Sequence, residues 1–461
     1  MNRRDFTRNV ALSAGIISSA AVLNSCTEQE EQTPEQTATP DNPTVSKELS
    51  EAMYKKAIEL TKMKIRGGDT EAFFKAPFID AAFNENIFLW DTCMMCCYCK
   101  YHLDELPVYQ ALDNFYGRME EDGFICREYR GSGEPLWPKT HPVSINPPLL
   151  AFAELEIFEV SKDLDRLKQV YPYLKKNFEF HVTTYMMEDD LFYGDTMGLG
   201  MDNIPREPHD WEPTEGNKWS QHELGLELAK LKTTDEEKLN FFVREYVRTR
   251  NGVWNVQGRQ VDFSSQMALY AVNLKRIANL IGEEQDVARY EEIHGKVKTA
   301  LNTLAWDDSD GFYYDLGFGE RIPRRHIGMY WALLGEVVPE DRLEQFISHL
   351  SDPNEFYRRT PLPALSASDP DYVGWGDYWL GGVWAPTVYM VLKGLSANGQ
   401  EDLARHLAAK VYASVAEVFE ATGTFWENYA PDLVAYGMPS KKDFCGWTAL
   451  VPVAIYKEYI Q

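Results

Sequence analysis

At 461 residues, the chain is long enough for one large domain or two ordinary ones. It carries 46 basic against 71 acidic residues, a formal charge of −25, so its surface repels nucleic acid and polyanionic glycans at long range and suits a neutral or cationic ligand. The 12 Trp, 25 Tyr and 23 Phe supply flat apolar faces edged with donors, which suit sugar rings and also fill large cores.

Residues 1–26 read as a signal peptide rather than part of the fold. MNRRDFTRN (1–9) is a basic n-region, and VALSAGIISSAAVL (10–23) is an apolar stretch too short to span a bilayer comfortably. LNSC (23–26) looks like a bacterial lipobox, which makes Cys26 the lipidated first residue of the mature chain. Arg3 and Arg4 followed by Phe6 resemble a twin-arginine signal, implying export in the folded state. An uncleaved anchor helix is the competing reading. Without residues 1–26 the balance is 43 basic to 70 acidic residues, or −27. Residues 27–44 hold no aliphatic side chain larger than Ala, so 27–45 is expected to be a disordered tether. Its acidic start resembles the surface-export signals of Bacteroidetes-type lipoproteins. The expected location is the cell envelope, lipid-anchored, either periplasmic or on the outer-membrane surface.

From Ser46 onward apolar residues recur at helical spacing, and strands are hard to find. Residues 46–65 place Leu49, Met53, Ala57, Leu60 and Met63 on one stripe. CMMCCYC (93–99) holds four of the six cysteines that follow Cys26. Thiolates at i and i+3 share a helix face, as a metal site would need, but no matching Cys or His set follows at a suitable distance. The segment therefore reads as small hydrophobes in a buried helix, with disulfide pairing undecided.

Three helix pairs follow: 146–163 with 164–186, 262–282 with 283–306, and 381–399 with 400–422. In each, a more apolar first helix meets a short Gly, Asp or Lys turn and then a more charged second helix. The first is predicted to be buried on most sides and the second to show one face to water. Five or six such pairs closing on themselves predict an all-α fold, an (α/α)6 barrel or toroid of six helical hairpins, with 46–461 as one domain. An open α-solenoid is the alternative. Unequal repeats, and long loops rich in Trp, Asp and Gly ahead of the inner helices, favour the ring. WDDSDGFYYD (306–315) has calcium-like Asp spacing but lacks the bidentate Glu of an EF-hand loop, so a solvated helix-to-loop corner is expected.

Five loops are dense in polar and aromatic residues: NIFLWDT (86–92), DGFICREY (122–129), MGLGMDNIPR (197–206), GWGDYWLGGVWAP (374–386) and GTFWENYAPD (423–432). In a closed ring they converge on one end. Asp202 is either the acceptor of a local Asx-turn or a carboxylic acid kept protonated in a tight, semi-buried loop. Glu427, set among Trp426 and Tyr429, is either a corner residue or half of a catalytic pair. Together the two acids sharpen the second reading. Cleaving a glycosidic bond needs one carboxylic acid to protonate the leaving oxygen and one carboxylate to activate water or attack carbon.

FLWDT (88–92), GFICREY (123–129), GMDNIPR (200–206), DYWLGGVWAP (377–386), ENYAPD (427–432) and FCGWTALVPVAIY (444–456), in that order, resemble glycoside hydrolase family 63. The likeness is greatest to the bacterial mannosylglycerate and glucosylglycerate hydrolase group, with trehalase more distant, and runs from about Asn84 to the C-terminus. It implies an (α/α)6 barrel and an exo-acting α-glycosidase that inverts the anomeric carbon. Asp202 matches the general acid and Glu427 the general base, about 6.5–9.5 Å apart with a water between, and the rings flanking Glu427 would wall the sugar site. Phe88, Trp90 and Asp91 match the cradle of the terminal sugar, where an Asp either accepts from two hydroxyls or caps a helix. Arg127 and Glu128 match a hydroxyl-binding stretch in which Cys126 replaces a proline; a structural ion pair is equally open there. Asn146, Asn203, Gln266, Trp379, Gly381, Trp384 and Trp447 also match pocket positions, the tryptophans as sugar contacts or as core. No cofactor or metal is implied.

The chain departs from the family at three points. The acidic stretch before the catalytic Asp is the apolar MGLG, Ile204 stands for a serine, and Leu380 stands for an arginine. Losing that cation, together with the acidic surface, counts against a glycerate-linked substrate, because glycerate is a carboxylate. The expected partners are an oligosaccharide or glycoside substrate, and a membrane through the lipid anchor alone; nucleic acid is not one. Two other readings share the fold: an unsaturated-uronide hydrolase or lyase with a basic pocket, and a non-catalytic glycan-binding toroid.

Overall fold

The computed structural model describes residues 42–68, 76–81, 84–137, 139, 142–209, 258–317, 320–444 and 446–461. The expected signal peptide with Cys26, and the tether up to residue 41, lie outside them. Helix α1 (Lys47–Met63) starts where the Ser46 hydroxyl accepts the Leu49 N–H at 3.1 Å. It buries Met53, Ala57 and Leu60 from the predicted stripe and leaves Met63 in solvent.

Helix α2 (Leu89–Cys99) buries every one of its residues. Burial pushes its four cysteine thiols above their usual range, so they pack as small hydrophobes. Then come α3 (Val108–Tyr116), α4 (Leu150–Ser161), α5 (Leu164–Tyr185), α6 (Val261–Ile281) and α7 (Val287–Ala300). A 3-10 turn, Ile327–Tyr330, runs into the short α8 (Trp331–Leu334), followed by α9 (Glu340–Ser348), α10 (Ala385–Ala397) and α11 (Glu401–Thr422). The chain ends in a 3-10 turn, Trp447–Leu450, and a π-helix, Val451–Ile460.

The three predicted pairs are α4/α5, α6/α7 and α10/α11. Each first helix is the more buried; α4 is buried continuously from Leu150 to Ile157. The α4 and α6 helices stop at left-handed residues, Lys162 (φ 58°) and Gly282 (φ 85°), whose N–H groups donate back to the Phe158 and Ala278 carbonyls.

Packing joins the first helices in sequence. Helix α2 lies on α4, α4 on α6, α6 on α8, α8 on α10, α10 on the 447–450 turn, and that turn on α2. Six inner segments therefore each touch the next, and the last returns to the first. Helix α1 opens no hairpin of its own. It packs on α11 and the C-terminal π-helix, so the two ends of the described chain supply the pair that sequence periodicity left incomplete. The fourth inner segment is also shorter than a hairpin helix, a 3-10 turn with four helical residues behind it.

Regular β structure among the described residues is four short antiparallel ladders: β1 (Ile65–Arg66) with β2 (Phe78–Ile79), β3 (Ile87–Phe88) with β4 (Glu128–Tyr129), β5 (Trp306–Asp307) with β6 (Phe312–Tyr313), and β7 (Leu316–Gly317) with β8 (Glu320–Arg321). The acid-rich 306–315 corner is the β5–β6 turn. The Asp307 carboxylate closes it by accepting the N–H groups of Ser309 (2.9 Å) and Asp310 (3.2 Å).

The two ends of α2 differ in character. Its eleven residues rise about 16 Å, with Trp90 and Asp91 at the first turn and Lys100 just past the last. Lys100 lies 2.5 Å from Glu156 and 2.9 Å from Glu458, with Lys393 2.9 Å from Glu156 and the Tyr389 hydroxyl 2.8 Å from it. Burial opposes ionisation of Glu156, but the Lys393 and Lys100 ammoniums hold its carboxyl down at about 2. Lys100→Met strands part of that negative charge inside the protein. The expected loss is about 3 kcal/mol of unfolding free energy, read from urea melts.

Candidate active site

The β3–β4 ladder joins two of the dense loops. Ile87 pairs with Tyr129 and Phe88 with Glu128, and the Leu89 N–H donates to the Arg127 carbonyl at 2.9 Å. Phe88, Trp90, Asp91, Arg127 and Glu128 thereby come to one cavity of about 740 Å³. Asn146 ties this corner to the third loop: its Oδ1 accepts the Trp90 N–H (3.2 Å) and its Nδ2 donates to the Gly198 carbonyl (2.8 Å). Arg127 donates to the Met197 carbonyl and lies over the Trp137 ring at 4.3 Å. The Glu128 carboxylate accepts from Asn86 Nδ2 (2.7 Å) and Trp137 Nε1 (3.0 Å). Its contacts are neutral hydrogen bonds, with no ion pair to Arg127 among the described residues.

The third loop brings Asp202, half-buried, onto the cavity wall. Arg206 anchors the loop from behind. Its guanidinium, wholly buried, donates to Asp262 in the first turn of α6 (3.2 Å) and to Asp315 (2.6 Å). Burial works against the Asp315 charge, yet Arg206 and His326 hold its carboxyl at about 2. The fourth loop supplies Tyr378 and Trp379. Trp379 stacks on Trp384 with centroids 4.2 Å apart, and Trp384 meets Trp447 edge-on at 5.8 Å.

Glu427 comes from the fifth loop and reaches the same wall. Its own N–H donates to the Lys441 carbonyl (3.0 Å), the Lys441 N–H donates back to its Oε2 (3.1 Å), and Trp447 Nε1 donates to its carbonyl (3.2 Å). Its neighbours do not wall the sugar site as expected. The chain bends at Glu427 and Asn428 between two isolated bridges, Trp426–Lys442 and Val383–Tyr429, and the flanking rings stay off the cavity wall. Trp426 instead stacks on Tyr436 at 3.6 Å, and the Tyr429 hydroxyl accepts the Trp426 N–H at 3.3 Å. The rings on the wall are Phe88, Trp90, Trp137, Tyr378, Trp379, Phe444 and Trp447.

Four matched positions lie behind the wall rather than on it. The Asn203 side chain bridges two loops. Gln266 is buried within α6. Trp384 is the inner partner of the Trp379 stack. Gly381 sits where a Cβ would meet the Val373 carbonyl oxygen at 2.1 Å, so it serves a close backbone approach. Conversely, sequence did not single out Tyr378, Arg130, Trp137 or Lys441. Although Leu380 brings no cation, Arg127, Arg130 and Lys441 all line the cavity, the last two beyond what the sequence pointed to.

Four carboxyl groups, on Asp91, Glu128, Asp202 and Glu427, share this space with the cations of Arg127, Arg130 and Lys441. Burial, reinforced by Glu427 and Glu128 and resisted by a backbone N–H and the Lys441 charge, pushes the Asp91 carboxyl up to about 8. Asp91 therefore holds its proton to higher pH than an ordinary carboxyl group. Burial also raises Glu427 above the ordinary carboxylate range. The Asp202 charge adds to this, while Lys441 and Lys64 pull it back. Burial lifts the Tyr378 phenol as well, with the charges of Glu427, Asp202 and Asp91 adding to the effect. Lys441→Met keeps the backbone bond to Glu427 but removes the ammonium, so Glu427 and Asp91 both hold their protons to higher pH. Carboxyl titrations followed by carbon NMR are expected to show both midpoints moved to higher pH; Lys441→Arg should leave them in place.

The fold has counterparts among known proteins. An uncharacterized protein of Borreliella burgdorferi is 24% identical over 344 residues, covering 74% of this chain and 62% of its own length. A probable mannosyl-oligosaccharide glucosidase of Schizosaccharomyces pombe is 28% identical over 218 residues, 43% of this chain and 26% of that protein. The chain thus spans less than two thirds of the length of either. The crystal structure of the family 63 mannosylglycerate hydrolase from Thermus thermophilus in complex with glucose superposes with a TM-score of 0.69 at 20% identity, over 88% of this chain and all of that one. The model of the mannosylglycerate hydrolase MGH1-like glycoside hydrolase domain matches residues 115–444, a stretch that contains both Asp202 and Glu427. With more than two thirds of its length in that match, the chain belongs to the MGH1-like glycoside hydrolases of family 63.

Proposed function

We propose that this glycoside hydrolase is an exo-acting, inverting α-glycosidase for an α-glucoside or α-mannoside of an envelope-accessible glycan, with Asp202 as general acid and Glu427 as general base. One observation carries the reading: two acids from segments far apart in the chain line a single cavity. Asp202 would give its proton to the glycosidic oxygen as the bond from the anomeric carbon breaks. Glu427 would take a proton from the water attacking that carbon from the opposite face, so water is split between the two products. No step calls on a metal or cofactor. The six inner segments with α1, α3, α5, α7, α9 and α11 outside them are read as an (α/α)6 toroid, which a crystal structure would check.

Reducing-sugar release from a panel of α-linked glucosides and mannosides tests the activity, and the absence of release from every member would sink it. Arg127, Arg130 and Lys441 on the wall favour a second reading, in which the leaving group carries a carboxylate. The panel therefore includes mannosylglycerate and glucosylglycerate. Delivery to the envelope through a lipid on Cys26 rests on the LNSC motif. Cys26→Ser is expected to move the protein from the membrane to the soluble fraction of cells.

A further inference from the structure

The residue after the general acid has a task of its own. Asn203 accepts the Trp379 N–H on its Oδ1 at 2.8 Å and donates from its Nδ2 to the Asp377 carbonyl at 3.0 Å. One carboxamide thus grips both ends of the three-residue turn 377–379. That turn is unusual. Asp377 (φ 41°) and Tyr378 (φ 65°) both occupy the left-handed region, which a bulky side chain such as Tyr enters only when its surroundings force it. The turn is crowded from below as well, where a Cβ on Gly382 would meet the Tyr378 carbonyl oxygen at 2.4 Å. The Trp379–Trp384 stack, with rings 5° from parallel, fixes its far end.

Tyr378, between the two gripped residues, lines the cavity together with Asp202 and Glu427. Asn203 is joined to Asp202 by the chain itself. Its side chain is not part of the cavity lining, and both of its hydrogen bonds go to the 377–379 turn. Its two bonds instead set the Asp202 backbone against a strained turn that a wholly different part of the sequence provides. Arg206 holds the other end of the Asp202 loop to Asp262 and Asp315. Between these two anchors the loop has little freedom to swing its acid away from the leaving oxygen.

We propose that Asn203 is a positioning residue: its carboxamide locks the 377–379 turn to the Asp202 loop, and so holds the general acid and the Tyr378 ring at one spacing across the leaving-group side of the cavity. The inference rests on the assignment of Asp202 as general acid. A lock of this kind matters only for substrates whose leaving oxygen needs a proton, and only while Asp202 can supply it.

The test compares an α-linked disaccharide with the corresponding α-glycosyl fluoride, whose leaving group depends far less on acid assistance. Asn203→Ala is expected to lower kcat/KM for the disaccharide about 10–100-fold, the scale of a small misplacement of a catalytic group, and to change fluoride hydrolysis less than threefold. Asn203→Asp keeps an acceptor for the Trp379 N–H and should recover part of the loss. In the Asp202→Asn background, Asn203→Ala should add almost nothing, because both changes remove the same function. An equal loss on both substrates, or full additivity with Asp202→Asn, overturns the proposal and leaves Asn203 as scaffold. Asn203 is half-exposed, so the variants should fold, and unchanged thermal melts check this. If the wild type cleaves neither the glucosyl nor the mannosyl fluoride, the α-glycosidase reading fails rather than the positioning role.

Discussion

Glu427→Gln is expected to lower kcat on an α-linked disaccharide by about 10²–10⁴-fold, the usual contribution of a general base. The substitution is nearly isosteric. It keeps an oxygen to accept the Lys441 N–H and leaves the backbone bonds to Lys441 and Trp447 untouched. What disappears is the ability to take a proton from water. Because that defect concerns the nucleophile, a better leaving group does not cure it. The loss should be equally large on the α-glycosyl fluoride, while KM changes little. Steady-state kinetics on both substrates read the outcome. Turnover within threefold of wild type would remove Glu427 from the mechanism.

Asp202→Asn should behave differently on the same pair of substrates. Its loss on the disaccharide is expected to be about 10²–10⁴-fold as well, since an amide cannot donate the proton that the departing oxygen needs. On the fluoride the loss should shrink to within about tenfold, because little proton donation is required. The second mark is in the pH profile. The basic limb of kcat reports deprotonation of the acid and should vanish in Asp202→Asn, while the acid limb, owed to Glu427 and raised by its burial, should remain. If instead Asp202→Asn loses activity equally on both substrates, Asp202 acts by binding or by charge, and the acid lies elsewhere on the wall.

Local signals in the sequence were informative where a single element decides the outcome. The apolar face of 46–65, the wholly buried cysteine helix and the three helix pairs follow from periodicity, and the structure has them. The sixth pair was not legible. Helix α1 and the C-terminal π-helix meet only because the inner segments come full circle, a contact between the two ends of the described chain.

The site divides along the same line. The five loops announced themselves by composition, and each sends side chains to the cavity. Which face of a loop turns inward depends on pairing with distant strands. Trp426, beside Glu427, was therefore misjudged, whereas Lys441 went unnoticed although its backbone pairs directly with Glu427. Motif positions such as Gly381, Trp384 and Asn203 prove to support the wall from behind, a distinction that residue type alone does not carry.

The proposed mechanism depends on one geometric relation: the acid protonates the glycosidic oxygen while the base delivers water to the anomeric carbon from the opposite face of the sugar. Proton NMR of the sugar released in the first minutes of reaction, before mutarotation mixes the anomers, tests it most directly. An α-linked substrate is predicted to give the β-anomer first. Initial release of the α-anomer would mean a covalent intermediate on one of these carboxylates, and would contradict the mechanism.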